Sequence, residues 1–192
     1  MARWMVTLVG HQPMPVYSLI REPELRPDLV IFVASESTSN VVNRIRALLN
    51  DIPSEMCIVQ PYSIDDVITK LHAELAAVSP DDTVIFNLTG GTKTMVFGAM
   101  EVARRREAEI VYLKSETDTQ VFRYRVSPSG IEEIEPVNAT QPVPLDDFLA
   151  IHIGRFDEGK RELTANRTGA GSLSAKCRPH CRDLRSLMKR SS

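Results

Sequence analysis

Apolar residues follow two rhythms along this chain, and the alternation between them predicts its architecture. Short, nearly continuous apolar runs recur at Trp4–Val9, Leu29–Ala34, Glu55–Val59, Thr83–Leu88 and Glu109–Leu113. Their length and β-branched content are those of strands buried on both faces. Between them the apolar positions switch to helical spacing. A short helix is predicted over Val16–Arg21. A second over Ser39–Asn50 carries Val41, Val42, Ile45, Leu48 and Leu49 on one face, and a third from Ser63 to about Val78 carries Ile64, Val67, Ile68, Leu71 and Leu75. A fourth runs from about Thr92 to Arg106. Successive β–α units imply parallel strands joined by right-handed crossovers.

The rhythm changes after Leu113. Thr119–Val126 alternates apolar and polar residues as a half-exposed strand does, Ser127–Gly130 is a turn, and Ile131–Val137 returns as its hairpin partner. A short helix starts at Pro144 and ends near Gly154. The predicted class is α/β: a Rossmann-like, mostly parallel sheet with helices on both faces and an added antiparallel hairpin, formed by residues 1–153. From Arg155 the periodicity disappears. Thr164–Ser174 has linker composition, so residues 154–192 read as a basic, flexible tail.

Charge sharpens that division. Residues 1–153 carry 13 Lys and Arg against 21 Asp and Glu, net −8, whereas residues 154–192 carry 10 against 4, net +6. An acidic body does not attract long nucleic acid through its overall field. A phosphate site on it must be local, which suits a small anion. No apolar run approaches the ~20 residues of a membrane span, and the start, too soon polar, does not read as a secretory signal. Three scattered cysteines argue against a disulfide framework and for a reducing compartment, the cytoplasm.

The most distinctive chemistry lies in Asn87-Leu88-Thr89-Gly90-Gly91-Thr92-Lys93-Thr94, where a strand breaks at two glycines and restarts as a helix. Adjacent glycines let backbone approach a ligand closely. The helix start behind them offers free N–H groups and the positive end of its dipole. Thr89, Thr92 and Thr94 add hydroxyls and Lys93 a mobile cation. An ordinary capped turn needs fewer polar groups than this, so a phosphate cradle is the favoured reading. It sits at the carboxyl end of a strand, where open α/β sheets bind ligands. The spacing is neither that of a Walker A loop nor that of a G-x-G-x-x-G dinucleotide fingerprint.

Other polar clusters carry less. His11, in the loop after the first strand, taken alone is a surface histidine. Ser35-Glu36-Ser37 reads as a helix cap with an acid in the first turn. Asp65-Asp66 is a charge-favoured helix start rather than a metal pair, and Ser63-x-x-Asp66 resembles a capping box with a shorter acid. Cys57 is a core residue. Arg104-Arg105-Arg106 complements a helix C-terminus. Cys177, His180 and Cys181 lack a second ligand pair at zinc spacing, so no metal or cofactor site is assigned.

The segment Asn87 to Lys93, following a hydrophobic strand, resembles the signature of CRISPR-associated Rossmann-fold (CARF) domains. It is most similar to the branch fused to restriction-like nucleases in type III CRISPR effectors. Gln12 and Pro15 in the loop after the first strand, and Pro144–His152 as the helix closing the domain, match as well. The resemblance covers about residues 4–153. It implies a homodimer whose two glycine turns face each other across a two-fold axis and bind a cyclic oligoadenylate, with cyclic tetra-adenylate suited to the symmetry. Under it, Thr89, Gly90, Gly91, Thr92 and Lys93 hold phosphate and ribose, with Asn87 and Thr94 in the same turn. The loops with Gly10, His11, Gln12, Met14 and Pro15, and with Ser35, Glu36 and Ser37, hold the bases.

Relatives of that branch continue into a metal-dependent nuclease, and residues 154–192 contain no such constellation. Two functions follow from the resemblance. One is a regulatory module that transmits ring binding to an effector. The other is a metal-independent ring nuclease, in which Lys93 and Thr92 stabilise the reacting phosphate by positioning and charge. His11 is the candidate general base near that site. The glycine turn alone would also serve a generic nucleotide-binding α/β protein.

Overall fold

The computed structural model describes residues 1–114, 120–139 and 141–153. Seven strands form one sheet: β1 (Arg3–Leu8), β2 (Leu29–Ala34), β3 (Ser54–Ile58), β4 (Thr83–Asn87), β5 (Glu109–Leu113), β6 (Gln120–Ser127) and β7 (Gly130–Asn138). Their order is β3-β2-β1-β4-β5-β6-β7. The first five pair in parallel, and β6 and β7 add antiparallel. This is the mostly parallel sheet with an appended hairpin that the hydrophobic pattern predicts.

Strand side chains alternate between two buried clusters, one on each face. Met5, Val30, Phe32, Ile85 and Val111 pack with α1 (Met14–Arg21), α2 (Ser39–Arg46) and α5 (Leu145–Ile153). Val6, Leu8, Ile31, Val33, Phe86 and Ile110 pack with α3 (Ile64–Glu74) and α4 (Lys93–Arg105). Both faces of the central strands are thereby removed from water, which is why those strands read as unbroken apolar runs. The outer strand β7 is mostly exposed. Glu132, Glu133, Glu135 and Pro136 make it a poor template for further pairing.

Boundaries differ from the sequence pattern where local chemistry intervenes. Helix α1 begins at Met14, earlier than the pattern suggests, because Pro15 sits in the first turn, where a missing N–H costs nothing. Pro13 is its N-cap residue and already has helical backbone angles (φ −79°, ψ −27°). Helix α2 stops at Arg46, and tight turns carry Leu48 and Leu49 onward, with i→i−3 bonds from Leu48 to Ile45 and from Leu49 to Arg46. Helix α3 gives way to a 3-10 turn at Leu75–Ala77.

Helix α5 is tied to the two helices of its face. The Tyr17 hydroxyl and Arg21 Nη1 both donate to Asp147 Oδ2, at 2.7 and 3.2 Å. Arg44 Nε donates to the Ile151 carbonyl at 2.6 Å, satisfying an oxygen in the last turn of α5. No helix among the described residues is long and apolar enough to cross a membrane. Residues 154–192, with Cys177, His180 and Cys181, lie outside the described residues.

Candidate functional site

The sheet order reverses at β1 and β4. From β1 the chain crosses to β2 on one side, and from β3 it returns to β4 on the other. The connections leave toward opposite faces of the sheet, which places a crevice at the carboxyl ends of this central pair. The polar loops 9–13, 35–38 and 88–92 follow the adjacent strands β1, β2 and β4 at that end of the sheet.

The β4 turn is assembled by internal hydrogen bonds. Asn87 is fully buried. Its Nδ2 donates to Thr7 Oγ1 on the neighbouring strand at 2.9 Å, and its Oδ1 accepts from the Thr89 amide at 3.0 Å. That Asx turn lifts the chain out of the sheet. Thr89 Oγ1 accepts from the Leu113 amide at 2.9 Å, so a side chain continues the β4–β5 ladder past its last backbone pair. The two glycines then pass directly over the end of β1. A Cβ on Gly90 would collide with the Leu8 carbonyl oxygen, and Gly91 has φ +77°. The pair serves packing as well as ligand approach: only bare backbone fits between Leu8 and the turn.

Thr92 closes the turn as N-cap of α4. Its Oγ1 accepts from the Met95 amide at 3.1 Å and donates to the Pro61 carbonyl. Helix α4 therefore starts with its first N–H groups at the crevice, as helix geometry requires, and Lys93 is its first residue. Lys93 is exposed and joins none of the ion pairs among the described residues. Thr94 is half-buried behind it.

Across the crevice, His11 and Gln12 are exposed, and Gly10 is half-buried with Gly91 packed on it. Met14 and Pro15 belong to the first turn of α1 and are half-buried. In the β2 loop Ser35 is buried, and its hydroxyl lies 2.9 Å from Ser37 Oγ and 3.1 Å from Thr38 Oγ1. Glu36 and Ser37 face solvent. No group of three or more His, Cys, Asp and Glu side chains that could hold a metal occurs among the described residues.

A family model, the Card1 CARF domain, matches residues 4–135, from β1 into β7. The chain belongs to the Card1 CARF domain family. Solved structures share its fold. Can2 from Sulfobacillus thermosulfidooxidans, in complex with cyclic tetra-adenylate, is 22% identical with a TM-score of 0.59, over 78% of this chain and 40% of that one. Protein VC1899 from Vibrio cholerae is 17% identical with a TM-score of 0.65, over 78% and 39%. A type III CRISPR defence DNA nuclease activated by cyclic oligoadenylate is 20% identical with a TM-score of 0.60, over 79% and 23%. At these identities the likeness concerns the fold, and the chain spans two fifths or less of each of these proteins. Comparison with curated protein sequences finds no match.

Within this CARF domain the expected site residues divide. Lys93, His11, Gln12, Glu36, Ser37 and Gly91 are exposed along one edge of the sheet, while Asn87 and Ser35 are turned inward and shape the loops. The hydrogen-bonding proton of Thr92 is committed to Pro61. The sequence pattern does not mark the loop after β3, yet that bond joins it to the turn. Tyr62, in that loop between a proline and the Ser63 cap, is 83% exposed.

Proposed function

We propose that this chain senses a cyclic oligoadenylate, with cyclic tetra-adenylate as its ligand, at the interface of a homodimer in type III CRISPR defence. The observation that carries the reading is the Thr89–Lys93 turn, held against β1 by its glycines and presenting Lys93 and the α4 start to solvent in a chain of the Card1 CARF family. Support comes from the cyclic tetra-adenylate bound to Can2 and from the cyclic oligoadenylate that activates the related nuclease. A compact ring of phosphates needs a few local donors and one cation per subunit, and no basic surface. That fits a body of net charge −8 over residues 1–153. A two-fold axis through facing turns would give each protomer half of a four-nucleotide ring. Three scattered cysteines argue against a disulfide framework, so the cytoplasm is the proposed compartment.

The alternative is a metal-independent ring nuclease acting on the same ligand. Lys93 would then offset charge on the reacting phosphate, with His11 as the exposed candidate base. The bond from Thr92 to Pro61 favours a positioning role for that hydroxyl over proton transfer. Incubating the purified chain with radiolabelled cyclic tetra-adenylate in EDTA distinguishes the two. Retained, intact ring is expected for the sensor. Linear product that disappears in Lys93→Ala would make it a ring nuclease. Failure to bind either the tetra- or the hexa-adenylate ring would overturn both.

A further inference from the structure

We infer that Tyr62, on the loop between β3 and α3, adds a further wall to the ligand crevice and stacks on an adenine base of the bound ring. This deepens the cyclic oligoadenylate reading and rests on it. A singly exposed aromatic residue needs no explanation. Tyr62 differs in how its backbone is held and where that backbone is taken.

Strand β3 lies at one edge of the sheet, three places from β4, which is about 14 Å at normal strand spacing. The loop after β3 nevertheless reaches the cap of α4, because Thr92 Oγ1 donates to the Pro61 carbonyl. Tyr62 and Lys93 are the residues that follow the two partners of this bond. The loop is fixed on both sides of Tyr62. The Gln60 amide donates to Asp66 Oδ2 at 2.7 Å, the Ser63 amide to the Gln60 carbonyl at 3.1 Å, and the Asp66 amide to Ser63 Oγ at 3.3 Å. Pro61 restricts its own φ. On this braced backbone the Tyr62 side chain is 83% exposed. An aromatic ring carried on a braced backbone is suited to a nucleobase, since stacking uses the π-face and only the two side-chain torsions of the ring are left to order on binding. The glycine turn supplies donors for phosphate but no surface for a base. Tyr62 supplies that surface one residue from the bond that joins the two loops.

The test compares wild type, Tyr62→Ala and Tyr62→Phe as full chains, measuring cyclic tetra-adenylate affinity by calorimetry and mass by light scattering. Tyr62→Ala should weaken binding about tenfold or more, in line with stacking losses on alanine substitution. Tyr62→Phe should stay within about threefold of wild type, because the ring and not the hydroxyl stacks. Mass and thermal midpoint should be unchanged in both. Equal affinity in Tyr62→Ala and wild type would overturn the inference and leave the ligand reading intact. So would a loss explained by dissociation into monomers, which would make Tyr62 an interface residue. If wild type itself binds no cyclic oligoadenylate, the ligand reading fails and this inference with it.

Discussion

The hydroxyl of Tyr17 donates to Asp147 Oδ2 at 2.7 Å across 130 residues of sequence, joining α1 to α5. Arg21 Nη1 reaches the same oxygen at 3.2 Å, and its guanidinium carbon lies 5.3 Å from the centre of the Tyr17 ring. Helix α1 starts beside the loop of His11 and Gln12, and α5 is the last described element, so the bond links one wall of the candidate site to the end of the described domain. Tyr17 is 2% exposed. Burial, then the bond to Asp147, pushes its phenol up to about 12. Tyr17→Phe should lower stability by about 1 kcal/mol, the net worth of one hydrogen bond. Urea unfolding checks the magnitude, and proteolysis within α5 checks the place.

The same phenol sets a pH dependence. Its folded value exceeds that of an unfolded tyrosine, near 10. Its contribution is therefore complete below about pH 10 and is lost as pH rises toward about 12. Stability followed through that alkaline window should fall more steeply in wild type than in Tyr17→Phe. Parallel curves would show that another group dominates.

Substitutions in the glycine turn should rank by what each new Cβ meets. Gly90→Ala drives a methyl into the Leu8 carbonyl oxygen, a backbone atom that cannot yield cheaply. A loss of about 3 kcal/mol or more is expected, at the upper end for overpacking. Gly91→Ala adds a contact at 3.0 Å to Leu8 Cβ and a left-handed φ, worth about 1–2 kcal/mol in strain. Gly10→Ala meets only the Gly91 backbone, its nitrogen at 3.2 Å and its Cα at 3.9 Å, and should be mildest. Midpoints of chemical denaturation give the order directly.

Most of this architecture is legible in the sequence because fully buried parallel strands leave continuous apolar runs, as Leu29–Ala34 does, and α3 and α4 announce themselves through the caps Ser63 and Thr92. The glycine turn is equally visible, since few backbones need Gly90-Gly91 between a strand and a helix. What escapes is non-local. That Asn87 faces Thr7 depends on β1 and β4 being neighbours, and the periodicity of neither strand encodes that pairing. The approach of Pro61 to Thr92 follows from where α3 packs, so Tyr62 carries no mark of its position. The Ser63-x-x-Asp66 pattern is half of a capping box. Ser63 receives the Asp66 amide, but the carboxylate turns to Gln60.

That carboxylate governs the loop of Tyr62 in acid. The Gln60 amide, and next the Lys70 ammonium 3.0 Å away, hold Asp66 below the usual carboxylate range. A depressed folded value means the bond contributes fully above the unfolded value, about 3.9, and is lost as pH falls through the lower folded one. Amide exchange at Gln60, corrected for intrinsic rates, should accelerate on acidification in wild type. In Asp66→Asn it should already be faster at neutral pH and respond less to acid.

Lys93 separates a ligand site from a merely structural turn. Its side chain is exposed and joins no ion pair among the described residues, so Lys93→Ala should leave stability within about 0.5 kcal/mol of wild type. If Lys93 meets a ring phosphate, the same change removes a charge-assisted contact worth roughly 1.5–3 kcal/mol, a loss of about tenfold or more in cyclic tetra-adenylate affinity. It should also flatten the salt dependence, because fewer counterions are released on binding. Titrations at two salt concentrations read both effects. A variant that binds as wild type does, with the same salt slope, would move the phosphates away from α4. The glycines would then stand as packing residues alone.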